Sequence, residues 1–285
     1  MFSPAIFWPG FAGLMALIAG LVAYRGEFAR ARGWDKLAVW GPAFVATGIA
    51  VFGCVHFAQA SGVMQIVPAF LPFRLFWTYF VAVALLSAAL SIVTKKYVRL
   101  SATLLGAMFL LFVLMIHLPN VVLAPKNRFV WAVMMRDLSF GAGAWAISRE
   151  KPGGAPAVAA RFVVGAAALF FGVEQLLHPG FRPGVPLRQL TPAWIPWAPL
   201  WGYVTGGVLL VAGAAMLMGK RSRGPAAIAG AAVALGALCI DVPVFARAAR
   251  PEMADELNVW ADTLLYAGAV LCAARVLPGK KDGDG

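Results

Sequence analysis

Gly53–Phe80 reads GCVHFAQASGVMQIVPAFLPFRLFWTYF, and a looser version returns at Gly172–Val204, GVEQLLHPGFRPGVPLRQLTPAWIPWAPLWGYV. Pro68-Ala-Phe-Leu-Pro72 matches Pro192-Ala-Trp-Ile-Pro196 at an offset of 124 residues. Trp77-Thr-Tyr79 matches Trp201-Gly-Tyr203, and His117-Leu-Pro119 matches Asp241-Val-Pro243, at the same offset of 124. Phe52-Gly53 matches Phe171-Gly172 at 119, which leaves five extra residues in the second loop. A period this long lies outside the solenoid range and predicts a duplicated domain.

The material around the two copies is strongly apolar. Hydrophobic residues make up 61% of the 285 positions and charged residues only 13%, against about 25% charged in soluble domains. Mean hydropathy is +0.81. Runs of about 20 apolar residues are long enough to cross a bilayer. They predict nine helices, at about 5–24, 37–60, 73–94, 98–117, 129–147, 158–177, 200–218, 225–240 and 257–276. The expected fold is therefore an all-α polytopic membrane bundle. Residues 1–36 give an extra N-terminal helix and a basic loop, 37–150 a first four-helix repeat and 151–156 a linker. Residues 157–277 give a second four-helix repeat and 278–285 a polar tail.

The net charge of +12 is distributed in short clusters between the apolar runs. That is the pattern of cytoplasmic loops, not of a nucleic-acid surface. Sixteen of the 24 Lys and Arg lie in or beside the loops that follow the first, third, fifth, seventh and ninth helices. The positive-inside rule then puts the N-terminus outside and the C-terminus in the cytoplasm, with the bacterial inner membrane as the expected location. Four helices per copy give both copies one orientation, a parallel repeat about an axis along the membrane normal. The N-terminal run carries no basic start and reads as a retained helix. Cys54, Cys239 and Cys272 show no metal spacing and read as small apolar residues.

Between the first two helices of each copy, the paired prolines break helical continuity. Phe70, Phe73, Phe76, Trp77 and Tyr79 crowd beside them. Trp and Tyr favour the membrane interface, so this segment is expected at the outer surface or dipping back into the protein.

Gly53-Cys-Val-His56, Val67-Pro-Ala-Phe-Leu-Pro72 and Trp77-Thr-Tyr79 resemble the DoxX-like family of four-helix membrane domains. The second copy resembles it at Pro192–Pro196 and Trp201–Tyr203, and departs at the histidine, which is replaced by Gln175. The resemblance spans roughly residues 38–276. It implies a membrane component linked to quinone reduction or to thiol and oxidative-stress systems, with quinone as the implied cofactor and a soluble or peripheral redox partner.

Ionisable groups inside the apolar runs are few, and they follow the repeat. The first copy has His56, His117 and Asp137; the second has Glu174 with Gln175, then Asp241 and Asp262. Such groups are costly in hydrocarbon and usually face a partner or a wet cavity. Asp137 is expected about 12 Å along its helix, where a His117–Asp137 pair satisfies both groups. Asp241 and Asp262 occupy the matching positions, and two close carboxylates would hold one shared proton. Arg136 is expected to reach for Glu174 or to snorkel outward, because adjacent residues on a helix point apart.

Several roles fit this set. The groups are either cross-helix hydrogen bonds that fix the bundle or a site for a quinone head group or a small polar solute. Metal or axial haem ligation by His56 and His117 is chemically open, but no His-x-x-His, Cys–His cluster or haem-attachment motif accompanies it. No Gly-rich phosphate loop follows a strand. The functional expectations are a quinone-associated oxidoreductase component, a small-solute permease, or an assembly protein without a ligand. Membrane lipids are partners in each case.

Overall fold

The computed structural model describes residues 3–148, 154–219 and 222–278. It is helical throughout. Among the described residues the only β-pairing is a single antiparallel bridge between Phe181 and Leu190. Eight helices are long and apolar enough to cross a membrane: α1 Pro4–Arg30, α2 Asp35–Ala58, α3 Arg74–Thr94, α4 Val98–Leu123, α6 Gly154–Leu177, α7 Ala198–Met218, α8 Arg223–Arg247 and α9 Met253–Val276. A further helix, α5 Arg128–Ile147, has the length of a span but carries Arg128, Arg136 and Asp137.

Several ends differ from the sequence expectation. α1 continues through Glu27 to Arg30, so half of the expected basic loop is helical. α6 begins at Gly154, inside the expected linker; residues 149–153 and the tail beyond 278 lie outside the described residues. α9 starts at Met253 because Asp255 and Glu256 stabilise its first turn, where the free amide groups favour negative charge.

α4 and α8 run past the ends expected at about 117 and 240 and continue through Pro119 and Pro243. Pro119 and Pro243 lack an N–H, and each ring presses on the carbonyl four residues back. The helix responds by widening one turn: Leu118 N donates to Val113 O and Val242 N to Ala237 O, five residues back. The π-turns Val113–His117 and Ala237–Asp241 therefore end on His117 and Asp241. One-turn π segments of this kind often mark functional positions.

Other local features recur at the same spacing of 124. Phe73 and Trp197, at φ 54° and 53°, both sit in the left-handed region at the start of a helix. Trp77 Nε1 donates to Pro72 O at 3.0 Å, and Trp201 Nε1 to Pro196 O at 3.2 Å. At the offset of 119, a Cβ on Gly53 would meet Leu86 Cγ at 2.7 Å, and one on Gly172 would meet Leu210 Cγ at 2.7 Å.

α9 is the central helix. It packs on α2, α5 and α8 and is nearly enclosed. Its approach to α2 depends on glycine: a Cβ on Gly268 would stand 2.7 Å from Val45 N. Small residues at such crossings let backbones come close enough for dispersion to hold them. α2 also packs on α1 and α3, α4 on α5, and α6 on α7, while α5 meets the start of α6. The outer faces of α1, α3, α4 and α7 expose Phe11, Val83, Leu104 and Val211.

At the basic end, Glu27 accepts from Lys95 at 2.7 Å and from Arg275 at 2.9 Å. Arg161 donates to the Met216 and Leu217 carbonyls in the last turn of α7, the usual place for a cation at a helix C-terminus.

Candidate functional site

The polar residues singled out in the sequence do not form one cluster. Three separate groups emerge, and each contains an arginine that bridges its partners.

The first group links α4, α5 and α9. His117 Nε2 donates to Asp137 Oδ2 at 2.8 Å. Arg136 Nε donates to Asp137 Oδ1 at 2.9 Å, and its Nη1 donates to Asp262 Oδ2 at 2.8 Å. The result is a continuous chain His117–Asp137–Arg136–Asp262. The expected His117–Asp137 contact is present. The expectation for Arg136 is corrected: it neither reaches Glu174 nor snorkels outward. Its long stem lets the guanidinium fold back over its own neighbour, which a shorter side chain on the same helix turn could not do. The planar fork then bonds a second carboxylate with its other edge.

The chain carries two carboxylates and one permanent cation. Neutrality therefore has room for one more proton, on His117 or on a carboxylate. Asp137 and Asp262 are 5% and 7% exposed, so an unbalanced charge here is poorly hydrated. Asp262 Oδ1 has no hydrogen-bond partner.

The second group surrounds Arg182, which is 1% exposed and comes from the loop between α6 and α7. Arg182 Nη1 donates to Asp241 Oδ1 at 2.9 Å, Nη2 to Glu256 Oε2 at 2.7 Å, and Nε to Leu190 O at 3.0 Å. The expectation that Asp241 and Asp262 share a proton is thus corrected. Each has its own arginine, Arg182 for Asp241 and Arg136 for Asp262. Gln175 belongs to this loop and not to a ligand site. Its Nε2 donates to Phe181 O at 3.2 Å, and its Oε1 accepts from Gly184 N at 3.2 Å. Gln175 lies 119 residues after His56 in the sequence and holds the loop through its amide.

The third group ties the start of α5 to α6 and the same loop. Arg128 donates to Glu174 Oε2 and to the carbonyls of Pro186 and Leu187. Glu174 is therefore the partner of Arg128. His56 stands apart: its Nδ1 bonds the Phe52 carbonyl at 2.7 Å, a contact within its own helix.

Arg136, Arg182 and Arg128 were missed as site residues by sequence reasoning. The available signal was charge placement. All three fall in the minority of basic residues away from the positive loops, where an arginine needs a reason to stay.

Among the described residues no group of three or more His, Cys, Asp or Glu could hold a metal ion. A quinone head group presents two acceptor carbonyls and needs donors. Buried donors without partners are present on α9, at Tyr266 Oη and Trp260 Nε1. The donor chemistry fits the head group. Two open surface depressions lie elsewhere, one lined by Tyr97, Arg99, Thr103 and Trp145 and one by Ala124, Pro125, Lys126 and Asn127.

A family model described as a domain of unknown function (DUF8561) matches residues 45–141, which cover α2 to most of α5 with His56, His117, Arg136 and Asp137. No curated protein and no solved structure matches the chain.

Proposed function

We propose that this chain is an integral inner-membrane protein made of two parallel DoxX-like four-helix copies, α2–α5 and α6–α9, preceded by α1. We propose further that it serves as the quinone-associated membrane component of an oxidoreductase or redox-homeostasis system. The features that recur at a spacing of 124 support the two-copy reading. The eight apolar helices and the basic clusters support the membrane and orientation readings, N-terminus outside and C-terminus inside.

The observation that carries the functional reading is the His117–Asp137–Arg136–Asp262 chain, placed mid-bundle with an unpartnered carboxylate oxygen. Quinone chemistry would couple two electrons to two protons when a head group is bound. The chain's own residues hold and pass protons: His117 of α4 bonds Asp137, and Arg136 keeps both carboxylates in place. The sequence brings no redox cofactor motif, so the electrons come from a partner.

One observation favours a second reading. Every charged group in the three clusters has an ion-pair partner. In that case the arginines are clamps that hold the two copies together, and the protein has an assembly role without a small ligand.

The lipid extract of protein purified in mild detergent separates the two. Stoichiometric quinone in the wild type, lost in an equally stable His117→Ala/Asp137→Asn variant, supports the redox reading. Quinone in neither, with the variant only less stable, leaves the clamp reading.

A further inference from the structure

Three residues on one face of α9 carry buried polar atoms without partners among the described residues: Asn258 Oδ1, Asp262 Oδ1 and Tyr266 Oη. They are spaced four residues apart, so their side chains stack one helical turn after another, about 6 Å between neighbours. Together they cover about 12 Å of the helix axis, from near its N-terminal end to the middle of the bundle. Asn258 is half-buried, and Asp262 and Tyr266 are enclosed. Asp262 meets Arg136 of α5, and the Tyr266 ring stands edge-on to Phe171 of α6 at 5.1 Å between centroids. Tyr266 is fully buried and Asp262 is 7% exposed.

A buried polar atom left without a partner costs about 1–3 kcal/mol. Three at regular spacing on one face point to a shared solution and not to three separate defects. Internal water is the ligand that bonds both acceptors and hydroxyls, and it needs two to four polar partners at each position. Here the carboxylate accepts, the tyrosine hydroxyl donates or accepts, the amide oxygen accepts, and the Arg136 guanidinium borders the middle position.

The two-copy comparison shows that the face is a specific feature. Asp262 corresponds to Asp137 at an offset of 125, but Asn258 corresponds to Val133 and Tyr266 to Gly141. The common carboxylate is flanked by polar residues only in the second copy.

We infer that Asn258, Asp262 and Tyr266 line a file of internal water that runs from the N-terminal end of α9 to the middle of the bundle and reaches Asp262. The file itself does not depend on a bound quinone. Its use as a proton route rests on the redox reading above.

X-ray hydroxyl-radical footprinting of wild-type protein in detergent tests this, because radicals made from bound water label the side chains beside it. Tyr24 is the internal control. It has the same ring chemistry, is 5% exposed, and its hydroxyl already donates to Ile92 O. Tyr266 is expected to be labelled more than Tyr24 although it is less exposed. In Asn258→Leu of unchanged melting temperature, Tyr266 labelling is expected to fall to the Tyr24 level. Tyr266 labelled no more than Tyr24 in the wild type would overturn the water file. Labelling unaffected by Asn258→Leu would overturn its course past Asn258. Footprinting does not detect quinone, so a negative lipid extract and a negative footprint are separate results.

Discussion

Arg136 Nη1 donates to Asp262 Oδ2 at 2.8 Å and so joins α5 to α9, 126 residues further along the chain. The same guanidinium holds Asp137 through Nε. One side chain thus neutralises two carboxylates on two helices. In the two-copy reading these are the fourth helices of both halves.

Removing Arg136 leaves two buried carboxylates facing each other without their cation. Breaking a buried pair by deleting one partner costs about 3–5 kcal/mol. Arg136→Met is therefore expected to lower the melting temperature markedly in detergent. Arg136→Met combined with Asp137→Asn and Asp262→Asn is expected to recover most of the loss. A triple variant as unstable as the single one would show that the cost comes from lost packing and not from stranded charge.

Arg182 is expected to act on the loop as much as on the bundle. It anchors the segment between α6 and α7 to Asp241 of α8 and Glu256 of α9. Arg182→Met is expected to destabilise by about 3–5 kcal/mol and to open residues 178–197 to limited proteolysis before the helices unfold. Gln175→Leu, which removes the bonds to Phe181 and Gly184, is expected to speed the same cleavage with a smaller loss of stability. Cleavage elsewhere first would place the weak point outside this loop.

Pro119 sets the register of His117. Alanine at this position restores an N–H and removes the ring that widens the turn. Pro119→Ala is expected to leave thermal stability unchanged or slightly raised. It is also expected to abolish the coupling between His117 and Asp137 in a double-mutant cycle, because a regular helix rotates His117 away from α5. Coupling that persists at its wild-type value would mean that the π-turn does not position this histidine.

The membrane orientation has its own test. A fluorescent protein fused at the C-terminus is expected to mature and fluoresce in intact cells, and an N-terminal epitope is expected to be reached by antibody only from the outside. The reverse pattern would invert the assignment made from the basic loops.

The sequence was informative where its signal is periodic. Apolar runs revealed the helices, and the paired Pro68–Pro72 and Pro192–Pro196 segments marked matching positions. His117 and Asp137 were legible as a pair because polar groups in hydrocarbon must find each other. Arg182 was not legible. It lies among prolines in what reads as a surface loop, and its burial depends on carboxylates 59 and 74 residues away. Arg136 was misread because the rule that adjacent helix residues point apart describes Cβ directions, and a guanidinium at the end of a flexible stem escapes it. Tyr266 reads as one more apolar aromatic in a hydrophobic run; only its burial shows a hydroxyl without a partner.

The central claim is that the buried chain is a ligand site and not only a clamp. Titration of a short-tailed quinone such as decylubiquinone against the wild type and Asp262→Asn, followed by thermal shift, tests it most directly. Asn at 262 keeps an oxygen for Arg136 and preserves the packing. The account predicts that quinone raises the melting temperature of the wild type, while the variant, of similar starting stability, shows no shift. Equal shifts in both, or none in the wild type, would contradict a quinone site at this chain.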